Sequence, residues 1–570
     1  MNLAKNLLLN TDSYKVSMFK QYPVGTTGVY SYIESRGGRY DKTVFFGLQA
    51  FIKEYLLEPI TQADIDIADE ILTAHGEPFN RQGWEYILRV HNGYLPVVIR
   101  AVPEGTVVPV KNVLATIENT DPECFWLTTY LETALLRAIW YPTTVATQSW
   151  IIKRVILDYL EKTGDPSLID FKLHDFGARG VSSMESAGVG GAAHLVNFMG
   201  TDTITGLLYA REYYNAGIAG FSIPAAEHST ITSWGRDNEV KAYANMVDQF
   251  AKPGAILAVV SDSYDIFNAA SKLWGEELKQ KVIDSGATVV IRPDSGDPDI
   301  VCRKLVEILG QKFGYTVNDK GYKVLNNVRL IQGDGVNEHS IRMILGGFQA
   351  YGWSADNIAF GMGGALLQQI DRDTQKFAMK CSSAEINGEW VDVQKDPITD
   401  SGDPETVCRS LVQILHEKFG AVKNSKGFWV LNNVRLIQGD GVNEQSIRNI
   451  LGSFMAYGYS ADNIAFGMGG ALLQQVDRDT QKFAMKCSSA LVNGKWIDVQ
   501  KDPITDAGKK SKAGRVVLWE SGGEYRSGVE QPKGWTDRGM RWDEVLQTVY
   551  CDGELLNEIT FEEIRINTKK

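Results

Sequence analysis

The sequence predicts an α/β fold built around an irregular β/α barrel, and three observations carry that prediction. Apolar runs recur about six times, each ending in a small polar or glycine cluster, at residues 171–177, 220–228, 256–263, 289–294, 328–335 and 357–364. Helix-like segments lie between most of them, the alternation of parallel strands joined by crossover helices. The run ends are also chemically loaded, and the carboxyl ends of parallel strands are where ligands sit in such folds. An open doubly wound sheet is the rival architecture; the number of loaded run ends favours the barrel.

Taken in order, residues 1–150 read as a mixed α+β domain. Residues 29–33 and 97–102 look like strands, and 47–56 has helical periodicity. Residues 106–116, with Pro109, suggest short edge strands or a hairpin. Residues 124–158 read as largely helical. Residues 151–400 carry the barrel rhythm, and their most informative stretch is 287–297. There Thr288, Val289, Val290 and Ile291, four β-branched residues in a row, predict a buried strand. It breaks into Arg292-Pro293-Asp294-Ser295-Gly296-Asp297, which puts a guanidinium, a carboxylate and a hydroxyl in one bend. A type I turn with helix-capping Asp and Ser accounts for the same residues without function. Residues 507–570 close the chain with a basic loop at 509–512, a strand at 515–519 and a helix at 542–550.

Residues 295–400 recur without gaps as 401–506, at a constant offset of 106, with 84 of 106 positions identical. This is no solenoid period but one tandem copy of half a domain. A closed barrel has room for one copy. The other must loop out, form a satellite or swap into another chain, and it would expose a large apolar face. The barrel itself can use the first repeat, the second, or begin in one and finish in the other.

Composition narrows the functional classes. The chain of 570 residues is long enough for two to four domains, and its formal charge of -12 argues against general nucleic-acid binding. No run approaches a membrane span, and residues 1–5 open no signal peptide. Six cysteines lie far apart with no CxxC pair, which fits reduced thiols in a cytoplasmic protein and no cysteine metal site.

Gly361-Met362-Gly363-Gly364, between a strand and a helix, suits phosphate binding or tight packing. Gly333-Asp334-Gly335 suits a ribose hydroxyl or a metal-bound water, or a plain capped helix start. Residues 187–193 imitate a dinucleotide fingerprint but lack its preceding strand, which leaves helix packing. His228 is a candidate proton carrier or phosphate partner. Arg179, Arg292 and Arg372 (or Arg478) are candidates to converge on anionic oxygens, or to form separate surface ion pairs.

Eight motifs taken together resemble the nicotinamide phosphoribosyltransferase family of type II phosphoribosyltransferases. In order they are Asp12-Ser13-Tyr14-Lys15, His174 to Gly180, Gly200-Thr201-Asp202-Thr203, Pro224 to Thr230, Ser261 to Asp265, Arg292 to Gly296, Gln332 to Gly335, and Phe360 to Gly364. The resemblance covers nearly the whole chain once one repeat is set aside. It implies that nicotinamide and phosphoribosyl pyrophosphate give nicotinamide mononucleotide and pyrophosphate, with Mg²⁺ on the pyrophosphate. It further implies a barrel beside a domain built from both chain ends, and a homodimer with shared active sites. By match, Phe176 and the partner's Tyr14 sandwich the pyridine ring, and Asp202 accepts from the carboxamide. Arg179, His228 and Arg292 bind pyrophosphate or phosphate, Asp294 with Gly333 and Asp334 holds the ribose, Gly364 and Arg372 hold the 5′-phosphate, and Asp262 supports. His228 also matches the residue that is phosphorylated where ATP is coupled to the reaction.

An ionised Asp202 would pair with an amide and repel the carboxylate of nicotinate, so the expectation is a nicotinamide preference over the sister nicotinate activity. A catalytically disabled chain that only binds is the reading from another class. Because the first repeat follows Asp294 directly, the site is expected to use Gly333, Asp334, Gly364 and Arg372, and not Gly439, Asp440, Gly470 and Arg478.

Overall fold

The computed structural model describes residues 6–394, 403–506, 510–531, 535–537, 539–551 and 553–567. The chain forms two compact units that interleave along the sequence. The first comprises Met1–Ser222 with Gly333–Phe483, and the second Ile223–Gln332 with Ala484–Lys570. Among the described residues no helix is long and apolar enough to cross a membrane.

In the first unit an antiparallel sheet runs in the order Glu389–Asp392, Phe377–Ile386, Thr26–Ser35, Val113–Asn119, Val97–Ala101. Its central strand alternates buried and half-buried residues, the period of a sheet with one packed face. That face, with Ile33, Ala115, Ile117 and Phe377, packs on Leu135 and Ile139 of the long helix Glu132–Thr163. The strands expected within 106–116 form, but not as a hairpin. Val107–Pro109 pairs with Lys42–Val44, while Val113–Asn119 lies between Thr26–Ser35 and Val97–Ala101.

The barrel rhythm gives parallel ladders in both units. In the first, Leu173–Asp175 pairs with Gly200–Thr201 on one side and Ile358–Met362 on the other. In the second, Thr288–Arg292 lies between Ile256–Val260 and Val328–Gln332. Leu257, Val259, Val289 and Ile291 on one face and Ala258, Val260 and Val290 on the other are all buried, as strands covered on both faces require. The run at 220–228 is the exception among the six. Among the described residues it makes only the isolated bridges Gly200↔Phe221 and Ala225↔Ala258, because Pro224 has no N–H to extend a ladder. Residues 187–193 lie in the helix Met184–Leu195, where Gly191 meets Gly206 of Ile204–Tyr214; a β-carbon on Gly206 would lie 2.9 Å from the Gly191 carbonyl carbon. That is the helix packing expected of them.

The helix expected at 542–550 does not form. Asp543–Glu544 pairs with Val516–Ser521, and Trp542 is buried with Val517 and Trp519. Nine residues make a marginal helix alone, and here the tryptophan contacts favour extended backbone. The terminal helix is instead Phe561–Asn567.

The two repeats share sequence but not surroundings. Strands Val328–Gln332 and Ile358–Met362 of the first repeat join the parallel ladders above. Among the described residues their counterparts Leu436–Gln438 and Ile464–Phe466 pair only with each other. The second repeat keeps a small core of its own, with Cys408, Val412, Leu431, Ile450 and Phe454. Where the first repeat buries Phe377 (0%) and Leu367 (1%), the second exposes Phe483 (71%) and Leu473 (79%). Phe377→Ala is therefore expected to destabilise the fold by about 3 kcal/mol, and Phe483→Ala by no more than about 0.5 kcal/mol. Urea-unfolding midpoints measure both, and equal losses would contradict this placement.

Candidate active site

Four of the twelve expected site residues lie in the second unit: Arg292 ends the strand Thr288–Arg292, Asp294 and Asp262 lie just beyond strand carboxyl ends, and His228 follows an isolated bridge. Val260 is in register with Arg292, so the turns at 261–263 and 293–295 leave the sheet side by side. His228 opens the short helix His228–Thr232 beyond the Ala225↔Ala258 bridge. Its Nδ1 lies 3.0 Å from Ser263 Oγ and its Nε2 3.2 Å from Asp294 Oδ2. Asp262 Oδ1 lies 3.7 Å from the same Nε2. Ser295 Oγ donates to the other Asp262 oxygen and meets Thr505 Oγ1. Arg292 donates through Nη2 to the Ala226 carbonyl at 3.1 Å. Its Nε and Asp262 Oδ1 are buried with no hydrogen-bond partner among the described residues. Buried orphans of opposite sign in one cluster mark a place where a ligand completes the bonding.

One residue that sequence reasoning missed belongs here. Lys501, a buried lysine of the second repeat, places Nζ 2.7 Å from His228 Nε2, and 3.8 Å from both Asp262 Oδ2 and Asp294 Oδ2. One nitrogen of His228 thus faces a cation and a carboxylate. It accepts from Lys501 or donates to Asp294, and its proton decides which. Burial pushes the Asp294 carboxyl up, but the His228 hydrogen bond and the Arg292 and Lys501 charges outweigh it. They hold it well below the usual carboxylate range, so it stays ionised at neutral pH.

The turn that carries Asp262 is held from behind. Trp274 Nε1 donates to Ser261 Oγ at 3.0 Å, Tyr243 stacks on Trp274 at 4.8 Å, and the Tyr243 hydroxyl donates to Glu239 at 2.7 Å. Burial pushes the Glu239 carboxyl up to about 7 against an ordinary 4.5, and the Tyr243 bond offsets only part of this. Between those values the folded chain keeps a proton that the unfolded chain loses, so stability falls as pH rises through that window. The fall amounts to about 3 kcal/mol. Glu239→Gln is expected to flatten that part of the pH–stability curve; an unchanged slope in urea titrations from pH 5 to 7.5 would refute the assignment.

The other eight residues lie in the first unit. Phe176 and Asp202 follow directly on the paired residues Asp175 and Thr201, which sets them side by side. The Asp202 N–H donates to the Asp175 carbonyl at 3.0 Å, and the exposed Asp202 carboxylate accepts from Ser222 Oγ at 2.6 Å. Asp175, wholly buried and pushed up to about 6 by that burial, accepts from the Gly177 N–H at 2.7 Å and fixes the turn. The Phe176 N–H donates to the Met362 carbonyl at 3.0 Å, and the ring lies on Gly361. A β-carbon there would come within 1.9 Å of Phe176 Cε2. Gly333 and Asp334 follow the strand Val328–Gln332. The next helix, Glu338–Ala350, is capped by Asn337, so Asp334 is not its cap.

Tyr14, Arg179 and Arg372 line one cavity of about 980 Å³ in this unit. Tyr14 therefore reaches it within a single chain. Gly364 opens a helix of four residues, Gly364–Leu367, a few residues ahead of Arg372. The cavity wall also includes Arg478, the counterpart of Arg372 in the second repeat.

The nicotinate phosphoribosyltransferase (NAPRTase) family profile matches residues 171–404 and 399–554, and the nicotinamide phosphoribosyltransferase N-terminal domain profile matches residues 6–99. The nicotinamide phosphoribosyltransferase of Xanthomonas campestris pv. campestris is 61% identical over 404 residues, covering 70% of this chain and 86% of that protein. That of Acinetobacter baylyi is 35% identical over 442 residues, covering 70% and 87%. That of Mycoplasma pneumoniae is 33% identical over 431 residues, covering 69% and 92%.

Proposed function

This chain belongs to the nicotinate phosphoribosyltransferase family and acts as a phosphoribosyltransferase on nicotinamide; from that premise we propose how its residues divide the work. The pyridine nitrogen attacks C1 of the ribose in phosphoribosyl pyrophosphate. The N–C1 bond forms, the C1–O bond breaks, and its electron pair leaves with pyrophosphate. The attacking nitrogen has a free lone pair, so no strong base is needed.

Positive charge builds on the sugar and negative charge on the leaving group. Asp294, held ionised, faces the sugar cation. Arg292, His228 and Arg179 take the oxygens of the leaving group, and Lys501 joins them. Gly333 and Asp334 hold the ribose, while Gly364 and Arg372 hold the 5′-phosphate. Phe176 stacks on the pyridine, an electron-rich face that tolerates the growing charge of the ring. Tyr14 supplies the second face, across a homodimer interface or from its own chain. Mg²⁺ suits the second-unit cluster, because Asp262 Oδ1 is buried without a hydrogen bond and Asp294 is anionic, and Mg²⁺ takes such oxygens together with substrate phosphates. When bound it would neutralise charge on the leaving group.

The observation that supports this reading most strongly is the convergence of His228, Asp294 and Arg292, with the unpartnered Arg292 Nε, at adjacent strand ends. Purified protein given phosphoribosyl pyrophosphate, Mg²⁺ and labelled nicotinamide is expected to release nicotinamide mononucleotide, and absence of turnover would refute the reading. In the same assay nicotinate is expected to react more slowly. Asp202→Asn, which removes the charge but keeps an acceptor, is expected to narrow that preference at least tenfold in kcat/KM. A wild type that prefers nicotinate would sink the role of Asp202.

A further inference from the structure

The cavity of the first unit is lined by equivalent residues of both repeats: Leu367 with Leu473, Gln368 with Gln474, Arg372 with Arg478. The loops also meet reciprocally. A β-carbon on Gly364 would lie 3.5 Å from Asp479 Oδ2, and one on Gly470 would lie 3.8 Å from Asp373 Oδ2, the equivalent pair with the repeats exchanged. Their backbones agree, with Gly363 at φ -101°, ψ -95° and Gly469 at φ -104°, ψ -87°. The Arg372 N–H donates across the contact to Gln474 Oε1 at 3.2 Å. Contacts in which i meets j and j meets i are the mark of a two-fold axis, normally found between two chains.

We infer that the second repeat stands, within one chain, where the same residues of a second copy would stand across a two-fold axis, and that Arg478 adds a second guanidinium to the Arg372 cavity. Each guanidinium is partly neutralised by its neighbouring aspartate, Arg372 Nη2 to Asp373 at 3.0 Å and Arg478 Nη2 to Asp479 at 2.8 Å. Arg372 Nε is buried without a hydrogen-bond partner among the described residues. Two arginines on one cavity suit a phosphate monoester, whose three terminal oxygens can accept from both. The ligand, the 5′-phosphate end of the sugar substrate, rests on the function proposed above; the pairing of the repeats does not.

Two measurements on the full chain test the proposal. In titration calorimetry with ribose 5-phosphate, Arg372→Ala and Arg478→Ala are each expected to weaken binding about tenfold. Arg448→Ala, on an exposed helix of the second repeat, is expected to leave it unchanged. Weakening by Arg372→Ala alone would overturn the role of Arg478 and leave the proposed function standing. A wild type that binds neither ribose 5-phosphate nor phosphoribosyl pyrophosphate would overturn the ligand and that function together. The pairing is read separately by oxidising a Gly470→Cys, Asp373→Cys double variant and mapping its disulfides by peptide mass. A 470–373 link within single chains supports it. A link found only in covalent dimers, or no link, overturns it.

Discussion

Asp294→Asn is expected to lower kcat by about a hundredfold or more, with KM for nicotinamide changed less than threefold. Asparagine keeps the shape of the side chain and an acceptor for His228, so what it removes is the charge. That charge is the one the surroundings are built to maintain. Arg292, His228 and Lys501 hold the carboxylate ionised against the effect of burial. If Asp294 stabilises a cation-like sugar carbon, its loss acts on the transition state far more than on bound nicotinamide, which is the split in kcat and KM given above. An effect on folding alone would instead lower the unfolding temperature and leave kcat per folded molecule unchanged. Activity within threefold of wild type would remove Asp294 from the reaction.

The residues around Asp294 were legible to unequal degrees, for physical reasons. Asp294, Arg292 and Asp262 could be read because each follows a buried β-branched or apolar run, and a charged residue at such a strand end has few structural uses. Phe176 and Asp202 carry no such signal alone. Gly200–Thr201 is too short to register as a strand, and only its pairing with His174 and Asp175 puts Asp202 beside Phe176. Lys501 lies in a Lys-Asp-Pro turn far along the chain, with no periodicity before it. The same Lys-Asp-Pro tripeptide recurs near the end of the first repeat at residues 395–397, which fall outside the described residues. The repeats show the limit most clearly. Identical segments, such as 371–383 and 477–489, have the same local propensities. Yet the strand Leu173–Asp175 has one free side for one partner, and Ile358–Met362 occupies it. Burial was therefore decided by which copy found a complementary surface, a property of the whole chain that no window of sequence contains.

Gly361→Val is expected to abolish measurable nicotinamide turnover, a loss of at least about a thousandfold in kcat/KM, while Gly467→Val is expected to be nearly silent. Gly361 sits in the parallel strand Ile358–Met362, in register with His174, and the Phe176 ring occupies the space where its side chain would stand. A β-carbon would lie 1.9 Å from Cε2 and 2.1 Å from Cδ2 of that ring, so the ring must leave its position. The backbone has little room to yield, since the Phe176 N–H is bonded to the Met362 carbonyl and both strands are buried. Valine suits a strand, so the substitution carries little penalty of propensity, and its damage falls on the Phe176 ring proposed above as the stacking face for the pyridine. The counterpart Gly467 has only Gly439 Cα and the Gln438 carbonyl nearby, no closer than 3.9 Å. The pair therefore separates the repeats as well as testing Phe176. Turnover by Gly361→Val within tenfold of wild type would show that the ring is not the platform, and loss in Gly467→Val instead would place the pyridine against the second repeat.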